Sequence, residues 1–138
     1  MKNKTGHADI ITKSEFEKLV AEGVAQIPRR LRTKLDNVEI VIANRPTAGQ
    51  ARELKLTRRD LLLGLYEGVP QSERNYYYSA LPDKITIFQE PITKLAQGDP
   101  EKIKELVSDT VYHEIGHHFG IDEEEMERVQ AKRRQLGK

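Results

Sequence analysis

Residues 99–120 read DPEKIKELVSDTVYHEIGHHFG, and the way this stretch folds decides the rest of the chain. Asp99 is a good N-cap, Pro100 suits the first helical position, and Glu101 complements the positive end of the helix dipole. Gly120 offers a left-handed stop, so the spacing predicts one helix from about residue 100 to Phe119. On a wheel at about 100° per residue, Ile103, Leu106, Val107, Thr110 and Val111 fall within an arc of roughly 140°. Lys102, Lys104, Glu105, Ser108, Asp109 and Tyr112 take the other side. The first three turns therefore declare a buried face. Continued, the same wheel brings Glu114 and His117 into the apolar arc, with His113 at one edge and His118 inside the other. Ionisable groups stand where hydrophobes are expected.

Burying imidazoles and a carboxylate costs several kcal/mol unless something compensates, and a divalent cation compensates directly. His113 and His117 are one helical turn apart and point the same way. Two neutral imidazole nitrogens at that spacing can share one zinc ion at roughly 2.0–2.1 Å. Glu114, about 100° around the helix, lies beside the ion without ligating it and can take a proton from a water held there. A third ligand must come from beyond Gly120, where Glu123 and Asp122 are both within reach. Asp122 also suits the N-cap of a following helix, with Glu125 closing a capping box. That last helix is acidic first (Glu123, Glu124, Glu125) and basic last (Lys132, Arg133, Arg134). The competing reading is a helix whose final turn is polar because it leaves the core. His118 is expected to support the ligands or fill the core rather than bind the ion.

The 138 residues suffice for one domain and are too few for two. Residues 1–12 are expected to form a mobile tail, with His7 in it, and residues 13–138 a single domain. There is no cysteine, which excludes disulfides, thiolate nucleophiles and Cys-type zinc sites. With 23 basic and 22 acidic side chains the net charge is +1, so no global field recruits nucleic acid or an anionic membrane. The basic run from Arg29 to Lys34 reads as a solvated helix face. No apolar run approaches the roughly 20 residues of a membrane span, and residues 1–15 lack the apolar core of a signal peptide. The expectation is a cytoplasmic protein, its oligomeric state left open.

Upstream, Ser14 and Glu17 form a capping box, and Phe16, Leu19, Val20, Val24 and Ile27 have helical spacing. Pro28 breaks that helix before a short second one through Leu35, and Asp36-Asn37 turns. Val38 to Ile42 reads as a strand, Leu61 to Tyr66 as a second and Lys84 to Gln89 as a third. Residues 46–60 hold a short helix or a loop. Residues 71–83 look like a loop carrying Tyr76, Tyr77 and Tyr78. Residues 91–97 give one or two helical turns stopped by Gly98.

HEIGHHFGIDE, residues 113–123, resembles the HExxHxxGxx(D/E) signature of small bacterial zincin-like metallopeptidases, the minimal zincins. LGLYEGVP (63–70) and LPDKITIF (81–88) are similar to that family's other recurring segments, and the resemblance spans roughly residues 14–127. It implies an α+β fold, a small mixed sheet of three to four strands packed on helices that include the active-site helix. It also implies that His113, His117 and Glu123 ligate zinc and that Glu114 is the general base. A metzincin would carry a third histidine in place of Glu123 and a downstream Met-turn, and Met126 comes too early for that.

The expected activity is hydrolysis of peptide bonds, with a peptide or protein substrate laid along an exposed strand edge. Lys84 to Gln89 is the candidate edge; Tyr76, Tyr77 and Tyr78 read first as a loop that covers the sheet, with an oxyanion donor or a lid as the alternative. One alternative is a binding module that the metal merely staples together, which would need four protein ligands. Another is a metal-dependent ribonuclease, against which Glu114 and the near-neutral charge both argue.

Overall fold

A computed structural model describes residues 11–57, 61–68 and 82–119, together with Arg128 and Ala131. Along the chain lie α1 (Lys13–Ala25), α2 (Arg29–Arg32) with a 3-10 turn (Thr33–Leu35), β1 (Val38–Ala43), α3 (Ala48–Glu53), β2 (Gly64–Glu67), β3 (Asp83–Phe88), α4 (Gln89–Ala96) and α5 (Pro100–Phe119). The fold is α+β, as the sequence implies.

Helix α1 starts two residues earlier than Ser14 suggests. Thr12 is its N-cap: the Glu15 N–H donates to Thr12 Oγ1 and the Thr12 N–H donates to Glu15 Oε1, completing the box. Both T-x-x-E and S-x-x-E satisfy the local rule, and contacts outside the helix favour the first. The Ile11 carbonyl, just before the cap, accepts from Gln89 Nε2 at 2.8 Å. Pro28 ends the helix as expected, and Ile27 and Leu31 on either side of it are buried.

The sheet has the order β1-β3-β2, with β1 parallel and β2 antiparallel to β3. β3 is therefore central, and Ile85, Thr86, Ile87 and Phe88 are all buried. This corrects the expectation that residues 84–89 offer an open edge: both sides of that strand are already paired. β2 begins at Gly64, three residues after the apolar run does. The reason lies in its partner. Phe88 N–H still donates to the Leu63 carbonyl, but the next residue, Gln89, already belongs to α4 and offers no ladder.

α5 runs unbroken as predicted, with Asp99 Oδ1 accepting from the Glu101 N–H and the Asp99 carbonyl from the Ile103 N–H. Its buried face is broader than the wheel suggests, and it is displaced. Ile103, Val107, Ser108, Val111, Tyr112 and Ile115 are each at most 1% exposed. With Gly116 they cover roughly 220° of the helix at about 100° per residue. Leu106 and Thr110 are only half-buried. Tyr112 and Ser108, assigned to solvent from the wheel, are core residues because α1 and α4 as well as the sheet pack on this helix. Each fully buried Ile or Val on this face stabilises the fold by about 1.5–3 kcal/mol. Among the described residues, no helix is long and apolar enough to cross a membrane.

Gly23 sets the distance between α1 and α5. A Cβ there would stand 2.8 Å from the Lys104 carbonyl oxygen and 3.1 Å from Val107 Cβ. Because the obstacle is backbone, Gly23→Ala must spread the two helices. The expected loss is about 1–3 kcal/mol in denaturant unfolding, despite alanine's better helix propensity. A variant as stable as the parent would mean the helices are not in close contact here.

Candidate metal centre

The arc of α5 left out of the core carries the chemistry. Leu106, Asp109, Thr110, His113 and Glu114 face β2 and, with Leu62, Leu63 and Gly64, line an open cavity of about 290 Å³. His113 and Glu114 are half-buried on its rim. The wheel placed Glu114 inside the apolar arc and His113 at its edge; in the structure both are half-buried and line the cavity. This flank of α5 is desolvated enough to strengthen electrostatics and open enough to admit a ligand.

Glu114 is held by the sheet. Its Oε1 accepts from the Tyr66 backbone N–H at 3.1 Å, a bond between residues 48 apart in sequence. The ladder explains why that amide is available. The Phe88-to-Leu63 bond marks 63 as a hydrogen-bonded position, so 65 and 67 also face β3. The backbone groups of Gly64 and Tyr66 consequently turn to the outer side of β2, where α5 lies. The approach is close because residue 64 has no side chain. A Cβ at Gly64 would lie 2.5 Å from Thr110 Cγ2 and 3.2 Å from the Thr86 carbonyl.

A second contact joins the same two elements. The Tyr66 ring stacks on His118, centroids 4.0 Å apart and planes 15° from parallel. The Tyr66 hydroxyl donates to Asp83 Oδ2 at 2.8 Å, and His118 Nε2 lies 3.7 Å from that oxygen. His118 is thus an exposed partner of the sheet and not a core histidine.

Among the described residues no group of three or more His, Asp or Glu side chains gathers around a point that could hold a metal ion. Of the residues singled out in the sequence, His113 and Glu114 are adjacent on the cavity rim. His117 follows one turn later on the unbroken helix, its side chain outside the described set. Glu123 and Asp122, Met126 and the three tyrosines at 76–78 also lie outside the described residues. The donors that are described suit zinc: an imidazole half-shielded from water, next to a carboxylate held in place by a neutral amide. The sequence pointed to the helix but assigned no role to Gly64, Tyr66 or Asp83. The available signal was the glycine inside a strand, which marks a close backbone approach.

The family described as Zincin-like metallopeptidase matches the chain over residues 35–133. No curated protein matches it.

Gly64→Ala is expected to push β2 away from α5, lengthening the Tyr66–Glu114 bond and destabilising the fold by about 1–3 kcal/mol. Adding Thr110→Ser, which deletes the obstructing Cγ2, should recover part of the loss in thermal unfolding. Equal stability of single and double variants would show that Thr110 is not the obstacle.

Proposed function

The chain belongs to the zincin-like metallopeptidase family, and on that premise we propose that it is a zinc-dependent peptidase in which His113, His117 and Glu123 hold the ion and Glu114 is the general base. The observation that carries this reading is the bond from the Tyr66 amide to Glu114 Oε1, at the rim of a cavity beside an outer strand. A carboxylate whose only role was solubility would not need a strand amide to aim it.

Zinc, when bound, supplies Lewis-acid polarisation of the scissile carbonyl and acidifies a water. The protein's own groups do the rest. Glu114, fixed through Oε1, takes the proton of the attacking water on its other oxygen and returns it to the leaving amine. Among the described residues β2 is an outer strand, and an extended peptide joins it through the Gly64 backbone and the Tyr66 carbonyl, which face away from β3, the Tyr66 N–H being engaged by Glu114. Side chains of a peptide strand alternate between faces, so one of them points toward α5. There it meets the leucine-lined cavity of Leu62, Leu63 and Leu106, which favours an apolar side chain over a charged one.

Glu114→Gln preserves shape and removes the base. Protein purified without chelator should retain zinc in metal analysis, while the variant's peptide cleavage falls by about 10²–10⁴-fold. Cleavage at the parent rate would overturn the mechanism. In a peptide library the parent should select apolar side chains at one position beside the scissile bond, and Leu106→Asp should weaken that selection. A selection unchanged by Leu106→Asp would place the subsite elsewhere.

A further inference from the structure

Tyr66 grips one turn of α5 at two points with different atoms. Its backbone N–H holds Glu114 Oε1, and its ring lies flat against His118, four residues further on. A single contact leaves a helical turn able to roll about its axis. Two contacts a turn apart fix both its rotation and its rise. His117 lies between the two gripped residues, so the backbone that carries it is fixed as well.

The grip is itself braced. Asp83, the first residue of β3, accepts from the Tyr66 hydroxyl, which ties the ring to the central strand. The same oxygen faces His118 Nε2 at 3.7 Å, so ring, imidazole and carboxylate form one cluster. The His118 side chain remains 40% exposed, so the ring lies against the sheet without being enclosed in the core. What the contact supplies to the helix is direction.

Resting on the peptidase reading above, we propose that Tyr66 and His118 are a positioning pair: their stack, braced by Asp83, sets the angle of the 114–118 turn and so aims Glu114 and places His117. Neither side chain needs to touch substrate or metal. The pair explains why a third histidine stands beside two proposed ligands.

The test uses the full chain, with kcat and KM on a cleaved peptide, the zinc dissociation constant from chelator competition, and the melting temperature of the metal-free protein. His118→Ala should lower kcat and raise the zinc dissociation constant, each by about 10–100-fold, with KM little changed. His118→Phe keeps an aromatic face and should restore most of both. Tyr66→Leu combined with His118→Ala should be no worse than the poorer single variant, because one contact cannot be lost twice. The pair is overturned by His118→Ala indistinguishable from the parent, by His118→Phe as impaired as His118→Ala, or by additive losses in the double variant. A loss that follows the melting temperature in every variant, without aromatic rescue, would do the same by reducing the stack to plain stability. Glu114→Gln measured alongside separates the two levels. If that variant is inactive while His118→Ala is intact, the pair alone fails. If it cleaves like the parent, the peptidase reading fails and takes the pair with it.

Discussion

Gly64 lets β2 approach α5 until a Cβ would lie 2.5 Å from Thr110 Cγ2, and two residues along, the Tyr66 N–H reaches Glu114. This close approach of an outer strand to a helix flank is the constraint on which the site depends. With the strand held farther out, the amide would need water as its partner, and the Glu114 carboxylate would swing with its own rotamers. A buried or half-buried acceptor that loses its donor pays a desolvation cost, so the bond also resists being broken. The ladder with β3 decides which amides face outward, and the central strand thereby controls the aim of a carboxylate on α5.

α5 has to satisfy two neighbours at once. Ile103, Val107, Ser108, Val111, Tyr112, Ile115 and Gly116 are buried where α1, α4 and the sheet pack on the helix. The rest, from Leu106 to Glu114, is left half-covered beside β2. The buried arc gives the helix a rigid seat, with Gly23 setting its distance from α1. A site built on such a helix is more precise than one built on a loop, because its rotamers are anchored by packing on the far side. His113 and Glu114 thus take their placement from neighbours to which no chemistry is assigned.

Much of the fold is written in local pattern. The pattern marked residues 38–42 and 84–89 as strands, and strands are found at 38–43 and 83–88, with Gln89 already in α4. Caps and prolines marked the breaks at Pro28 and Asp99. The errors have physical sources. Ser14 and Thr12 both begin a valid capping box, and only contacts outside the helix favour Thr12. Ser108 and Tyr112 carry hydroxyls, so a wheel weighted by hydropathy puts them in water, whereas a helix packed on several sides buries them. The strand read at 84–89 is central rather than an edge, because strand order is not encoded in one strand's residues.

The sequence by itself determined the helix that carries His113, Glu114 and His117 and the one-turn spacing of its histidines. Backbone periodicity and end-capping act over a few residues, so that information is complete within residues 99–120. The family signature could be read there for the same reason. The tertiary structure alone decided which arc of that helix is buried, which strand stands beside it, and that Tyr66 holds Glu114 by its amide and His118 by its ring. Those facts join residues about fifty positions apart. They follow from where neighbouring elements come to rest, a balance of packing over the whole domain that no single stretch of sequence contains.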